Sequence, residues 1–328
     1  MEWFINMINA AVLAGTPLLL GTMGEILTEK SGNLNLGVEG MMFMGGIAGL
    51  AASFYYEAAV TASGGVISGF MSAVYAVIGA FLCGAFGALI YSFLTVTLRA
   101  NQNVTGLTLA IFGTGFANFF GEHLALKAGG YAAVSNITKA TFTNPAIPAL
   151  SDIPYIGRLL FGYNFVVYLG VAIALVLFWF FNHTRTGLNL RAVGESPATA
   201  DAAGLNVARY KYLATCIGGG ICGLGGMYVT MVTCSGVWVH NSVNGQGWIA
   251  VALVIFAAWS PARGILGALL FGGLSILRLY LPLGIPMQIY DMLPFVATVI
   301  VLIMTSIRQI RENSQPRSCG VNYFREER

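Results

Sequence analysis

Long apolar stretches alternate with short polar segments along the whole chain. Five stretches contain no Asp, Glu, Lys or Arg: residues 3–24, 58–98, 100–121, 159–182 and 212–262. A bilayer core about 30 Å thick requires about 20 apolar residues per helix, so the last stretch is long enough for two crossings and a turn. We predict an all-α polytopic membrane protein, a bundle of about 8–10 transmembrane helices with broken or re-entrant segments. Its spans are expected near residues 5–27, 40–56, 68–98, 104–126, 160–182, 209–234, 247–259, 264–281 and 289–307.

Composition supports a membrane protein and excludes a soluble one. Charged residues make up 9% of the chain and hydrophobic residues 57%, and the mean hydropathy is +0.76. A soluble globule of 328 residues needs far more polar surface. The first residues lack the basic start and cleavage site of a secretory signal, so we expect a retained span there.

The basic residues predict the orientation of the chain. Because Lys and Arg are enriched in cytoplasmic loops, the side that carries most of the sixteen basic residues should be cytoplasmic, with the N-terminus outside and the C-terminus inside. The predicted spans place Lys127, Lys139, Arg158 and Arg278 outside. The other twelve are cytoplasmic: Lys30, Arg99, Arg185, Arg191, Arg209, Lys211, Arg263, Arg308, Arg311, Arg317, Arg325 and Arg328. No basic-aromatic stripe of the kind that binds nucleic acid is present.

The most informative polar interruption is residues 31–40, which lie between two strongly apolar spans. It contains three glycines, together with Asn33, Asn35 and Glu39. One interpretation is a tight cytoplasmic hairpin. The other is a non-helical segment that lines a translocation path, since such backbone is tolerated at membrane depth where protein or pore water satisfies it.

Two further interruptions carry polar or aromatic side chains. Asn101, Gln102 and Asn103 provide amides that suit a hydroxyl-rich or heterocyclic solute, although a polar turn at the membrane surface explains them equally. Residues 238–248 contain two tryptophans, of which Trp248 is a candidate to stack on a flat ring; interfacial anchoring is the alternative.

The predicted cytoplasmic loop 183–211 contains a short helix with both ends marked. Ser196 is a good N-cap, Pro197 occupies the first helical position, and Gly204 stands where a left-handed residue ends a helix. The helix over 197–203 is too short to span and presents Asp201 to the cytoplasm. It is expected to insert into a partner's groove or, alternatively, to cap the bundle.

The remaining organisation follows from these boundaries. Residues 1–307 form the predicted transmembrane domain, residues 127–158 its long external loop, and residues 308–328 a basic cytoplasmic tail. The external loop is a docking face for an outside protein or tolerated surface filler. The five cysteines contain no CxxC pair and indicate neither a disulfide framework nor a metal site.

The residues do not predict an enzyme. No GxxxxGK[ST] loop occurs, and the nearest approach, Gly24 to Ser31, has Glu29 in place of the second glycine. The three histidines are scattered, so the sequence predicts neither a catalytic group nor a metal site, and it predicts no cofactor.

Three segments resemble permease subunits of bacterial ABC importers for nucleosides, the second-permease branch of the ribose and branched-chain amino acid permease family. Residues 29–42 resemble the family's ERSGxxNxGxEGMM signature, and residues 185–197 its TxxGxxxRAVGENP segment. Trp259, Pro261 and the glycines that follow resemble a later pattern, so the resemblance covers nearly the whole chain.

The resemblance implies a function and partners. The implied function is translocation of nucleosides. The implied partners are a second homologous permease, an ATPase that binds ATP and Mg²⁺, and an external solute-binding lipoprotein. The implied location is the bacterial cytoplasmic membrane. The resemblance implies a path lined by Asn33, Asn35, Glu39, Asn101, Gln102, Asn103 and Trp248. It also implies a coupling segment that docks on the ATPase and comprises Gly194, Glu195, Ser196, Pro197, Asp201 and Gly204.

Two alternatives stay open at this stage. The substrate of an ABC permease of this kind is a nucleoside or a ribose-like sugar. A stand-alone secondary transporter usually needs buried carboxylates for its coupling ion, and Glu25, Glu39, Glu122 and Asp291 all lie close to predicted span ends.

Overall fold

The computed structural model describes residues 2–151, 153, 155–281, 284, 286–308 and 315–324. These residues form an all-α protein, as predicted, and the part of the chain that is described contains one isolated β-bridge, between Ala133 and Val237, and no strand. The helices are α1 (Glu2–Glu29), α2 (Val38–Ala62), α3 (Gly69–Ser92), α4 (Gln102–Lys127), α5 (Asn136–Thr143), α6 (Pro148–Ser151), α7 (Ile156–Phe161), α8 (Phe165–His183), α9 (Arg185–Glu195), α10 (Pro197–Ala202), α11 (Val207–Tyr228), α12 (Gln246–Phe256), α13 (Pro261–Tyr280) and α14 (Met287–Arg308). Single π-helical turns, Phe93–Thr97 and Val229–Thr233, extend α3 and α11.

Six of the described helices are long and apolar enough to cross a membrane: α1, α2, α3, α4, α8 and α11. The polytopic membrane class is thereby confirmed. The last three predicted spans coincide with shorter apolar stretches in α12, α13 and α14. Helix α12 has 11 residues, about 16 Å at 1.5 Å per residue, which is half of the bilayer core.

Helices α2 and α11 form the centre of the bundle because glycines let their backbones touch. A Cβ on Gly45 would collide with the backbone of Gly223, and a Cβ on Gly226 would collide with the carbonyl of Met42. Small residues at helix contacts are the usual basis of membrane helix packing, where lipid gives no hydrophobic drive for association. The two helices are accordingly the most buried of the six spans.

The structure shifts the start of one predicted span and adds short helices to one predicted loop. The predicted span 160–182 is divided, since α7 ends at Phe161 and a new helix, α8, begins at Phe165. Asn164 causes the break by accepting the N–H groups of Val166 and Val167. The predicted external loop 127–158 is largely structured, and α5 within it is held by Glu57, whose carboxylate accepts the N–H of Ser135 at 2.8 Å and its hydroxyl at 2.7 Å.

The predicted tail is not a free extension. Helix α14 continues to Arg308, and residues 315–324 fold back onto the face predicted to be cytoplasmic. Of the basic residues assigned to this tail, Arg311, Arg325 and Arg328 lie outside the described residues.

Candidate functional site

The chain between α1 and α2 is a non-helical segment inside the protein. Gln102, at the start of α4, accepts the N–H of Leu34, whereas Gly40 packs against Leu109 and Gly113. At 1.5 Å per residue, the chain therefore climbs about 10–16 Å along α4 between Leu34 and Gly40, which lies in the first turn of α2. Of the two interpretations of residues 31–40, the structure matches a buried break rather than an exposed hairpin.

Three of the predicted path residues have partners within the chain. Asn33 is 1% exposed and donates to the hydroxyl of Thr215 at 3.0 Å. Asn35 is fully buried; its backbone and side-chain N–H groups both donate to Glu25, at 3.1 Å each. Gln102, also buried, joins Leu34 to Asn322 of the tail. These hydrogen bonds hold the break in its climbing conformation, although the side-chain oxygen of Asn33 is buried without a partner among the described residues.

Glu39 joins the N-termini of α2 and α12. It lies in the first turn of α2, and its carboxylate accepts the N–H of Gly245 at 2.8 Å and of Gly247 at 2.6 Å, at the start of α12. Gly247 is also in direct contact with the Glu39 backbone. A helix N-terminus carries about half a positive charge, so one carboxylate compensates two such ends.

Asn101, Asn103 and Trp248 differ from the buried group because their side chains are exposed. Asn101 caps α4 by accepting the N–H of Val104, and Trp248 is 37% exposed. The structure thus brings together Asn33, Asn35, Gln102 and, one turn higher, Glu39. It leaves the other three at the surface of the described chain, where they are accessible to a solute or a partner.

The cytoplasmic loop forms the short helix predicted for it. Helix α10 spans Pro197–Ala202, Ser196 accepts the N–H of Thr199, and Gly204 has φ of +83°. Just before it, Gly194 lies against the backbone of Lys30 and Gly32, with no room for a Cβ. The end of α9, directly before α10, is therefore in backbone contact with the break.

The folded tail binds the same region. Ser318 donates its N–H to the carbonyl of Gly194 at 3.1 Å, and Tyr323 donates its hydroxyl to Asp201 at 2.8 Å. Asn322 donates to the carbonyls of Arg99 and Ala100. The tail thus ties α9, α10 and the turn before α4 into one unit.

Burial changes the acidity of two groups in this unit. Burial lowers the pKa of the Lys30 ammonium, and the neighbouring Arg191 lowers it further, while Glu195 and Glu29 oppose the shift. Burial also raises the pKa of the Cys319 thiol well above its usual range, with Glu29 adding to the effect. Cys319 is therefore protonated at physiological pH.

The Cys319 pKa predicts slow alkylation. Since the thiolate is the reactive form, the iodoacetamide rate at Cys319 should keep rising beyond about pH 10.5, where an ordinary thiol with a pKa of about 8.5 is almost fully ionised. Asn322→Ala should accelerate the reaction by releasing the tail, and Val321→Ala, at an exposed position, should not. Peptide mass spectrometry measures both, and an ordinary pH profile in the unmodified chain would refute the packed tail.

Sequence reasoning missed the carboxylates beneath the break. Glu25 is fully buried and Glu29 is 3% exposed, although both lie in the last turns of α1. Glu29 accepts the indole N–H of Trp259, just beyond α12. The spacing of four residues, which places both carboxylates on one helix face, was the available signal.

Taken together, the six long apolar helices, the buried break, the small-residue packing and the short capped helix are those of a multi-pass membrane transport subunit. The sequence comparisons agree. Residues 6–302 match the family described as branched-chain amino acid transport system / permease component. The chain belongs to this family.

Three curated relatives are similar over most of the chain. A putative glucose ABC transporter permease protein, TsgC13 of Haloferax volcanii, is 37% identical over 280 residues, covering 85% of this chain and 78% of its own. The guanosine ABC transporter permease protein NupQ of Bacillus subtilis is 30% identical, covering 98% and 97%. The nucleoside ABC transporter permease protein NupC of Lactococcus lactis is 30% identical, covering 96% and 95%.

Proposed function

We propose that this permease component translocates nucleosides as part of an ATP-driven ABC importer. The observation that carries the substrate is the end-to-end similarity to the guanosine and nucleoside permeases, which covers at least 96% of this chain. In both cases more than nine-tenths of the relative is also matched. A nucleoside presents a planar base and a ribose, for which the exposed Asn101, Asn103 and Trp248 provide amides and an aromatic face.

The proposal includes a route from ATP hydrolysis to the membrane. Helix α10 docks on a separate ATPase, which binds ATP and Mg²⁺, with Gly194, Glu195, Ser196, Pro197, Asp201 and Gly204 as the coupling segment. The contact of Gly194 with Lys30 and Gly32 supports this role. From Gly194 the route continues through the buried amides of the break to Glu39 and the start of α12. Closure of the ATPase then shifts the N-termini of α2 and α12.

The other components follow from the same class of transporter. An external solute-binding lipoprotein delivers the nucleoside, a second homologous permease completes the path, and the assembly lies in the bacterial cytoplasmic membrane. We assign no cofactor to this chain. Spans α3 and α8 face outward and leave surface for lipid and for the second permease. In each of them, 33% of the most apolar stretch is buried within the described chain.

A sugar substrate is the second candidate. The relative named as a putative glucose permease shares 37% identity, more than the nucleoside relatives, although it covers 85% of this chain. A sugar offers hydroxyls to the same amides but no planar ring. Trp248 would then bind the apolar face of the sugar or have no part in recognition.

Uptake by cells separates these candidates. Radiolabelled guanosine, uridine, ribose and glucose should be supplied to cells with and without this gene, with its neighbouring genes intact. Loss of guanosine and uridine uptake alone is the expected result. Loss of ribose or glucose uptake alone would retain the ABC permease and replace the substrate.

Gly204 tests the coupling segment. Its φ of +83° disfavours any residue with a Cβ, although a Cβ there would meet no atom within 4 Å. Gly204→Val should cost roughly 1–2 kcal/mol in local conformation and reduce stimulation of ATP hydrolysis by the loaded binding protein in proteoliposomes. Gly204→Asn tolerates this conformation and is the matched control. Equal stimulation by the wild type and the Val variant would count against α10 as the coupling helix.

A further inference from the structure

A cavity of about 410 Å³ lies on the face predicted to be cytoplasmic, directly beside α10. Three separate segments enclose it: the end of the π-helical turn with Arg99, residues 201–211 from α10 into α11, and Asn322 with Tyr323 of the folded tail. Small-molecule sites occupy roughly 300–1,000 Å³, so the cavity holds a small metabolite and exceeds what a lone inorganic ion fills.

One end of the cavity is positively charged. Lys211 is 3% exposed and donates to the carbonyl of Gly32 at 3.4 Å, which uses one of its three N–H groups. Among the described residues, neither Lys211 nor Arg99 has a carboxylate within ion-pair distance. A buried ammonium is costly without an anionic partner, and these two cations are complementary to a phosphate.

The start of α11 strengthens this preference. Val207 and Ala208, the first residues of this 22-residue helix, form part of the wall. Their end of the helix carries a partial positive charge and favours anions. Arg99 lies over the ring of Phe324, with its Cζ 4.7 Å from the centroid, and this contact fixes the guanidinium at the cavity's edge.

The remaining wall suits a planar, hydrogen-bonding group. Tyr323 provides an aromatic ring whose hydroxyl is held by Asp201. The side-chain oxygen of Asn206 caps α11 by accepting the N–H of Arg209, which leaves its NH₂ group as a donor. Asp201 is the acidic side chain of the wall, so the cations outnumber it.

We propose that this cavity binds a nucleoside monophosphate, with the phosphate between Arg99, Lys211 and the α11 N-terminus and the base beside Tyr323. Because the ligand contacts α10, α11 and the tail at once, it holds the coupling segment in one position. The phosphorylated form of the transported nucleoside thus reduces further import from the cytoplasmic side. This regulatory role depends on the proposed function, whereas the binding itself does not.

Binding is tested on the full-length chain in lipid nanodiscs by isothermal titration with guanosine monophosphate. Saturable binding is expected, together with at least tenfold weaker binding of guanosine and of inorganic phosphate. Arg99→Asn should weaken binding at least tenfold; Asn tolerates the positive φ of 56° at this position. Arg185→Asn, which removes an exposed charge on the same face, should leave binding unchanged.

Several results would overturn the proposal. Equal affinity for guanosine would exclude the phosphate site, and equal affinity for inorganic phosphate would exclude the base site. Binding that disappears in nanodiscs with anionic lipid, at constant ionic strength, would assign the cavity to a lipid headgroup. Absence of binding alongside normal nucleoside uptake refutes this inference alone, whereas absent uptake with intact binding refutes only the proposed function.

Discussion

Glu39→Ala is expected to destabilise the protein by about 3–5 kcal/mol and to abolish transport. The substitution removes two charge-assisted hydrogen bonds, each worth about 1.5–3 kcal/mol, and leaves the N–H groups of Gly245 and Gly247 buried without their acceptor. It also removes the negative charge between the starts of α2 and α12. Thermal unfolding of the purified chain in detergent, followed by intrinsic tryptophan fluorescence, measures the loss.

Two further variants test the Glu39 contact. Glu39→Gln keeps one acceptor oxygen but points an NH₂ group at the other N–H, so an intermediate loss is expected. Glu122→Gln is the control, because Glu122 is exposed and, among the described residues, its one ion pair is with His240 at 3.4 Å. Equal stability of wild type and Glu39→Ala would mean that the carboxylate does not join α2 to α12.

Gly226→Ala is expected to lower the stability of the protein by a similar amount, because there is no space for the added methyl group. The added methyl group would overlap the carbonyl of Met42, a backbone atom that cannot rotate away. Helices α2 and α11 must separate to admit it, and such overpacking costs about 3 kcal/mol in a tight core. Reduced unfolding temperature in detergent and reduced yield of folded chain in membranes are the measurements.

Gly115→Ala is the matched control for Gly226. Both glycines lie inside membrane-spanning helices, but a Cβ on Gly115 would have no atom within 4 Å. Alanine favours a helix by up to about 1 kcal/mol over glycine, so this variant should be as stable as the wild type or slightly more so. If both variants unfolded alike, close contact between α2 and α11 would be refuted.

Local features of the fold were predictable from the sequence. The short helix at 197–202 depends on its own residues, since the Ser196 cap, Pro197 and Gly204 act within one or two turns. The spans were predictable because burial in lipid requires a continuous apolar run. The break after α1 was detectable from its glycines and amides.

Long-range partners were not predictable in the same way. Nothing in the sequence around Glu39 indicates that its carboxylate accepts N–H groups from the start of α12, more than 200 residues further along the chain. The sequence of α12 alone does not predict that it is about half as long as a membrane span. Its start is set by the contact with Glu39. The tail was predicted only to be basic and cytoplasmic, whereas hydrogen bonds from Ser318, Asn322 and Tyr323 decide the position of its described residues.

The separation of Glu39 from its partner has a consequence for biosynthesis. Gly247 follows Glu39 by 208 residues, and ribosomes add about 5–20 residues per second. For roughly 10–40 s, then, the nascent chain carries α2 with an uncompensated carboxylate at its start. During that interval the carboxylate lacks the N–H groups of Gly245 and Gly247. The junction between α2 and α12 therefore forms only after α12 is made, when most of the helices have already been synthesised.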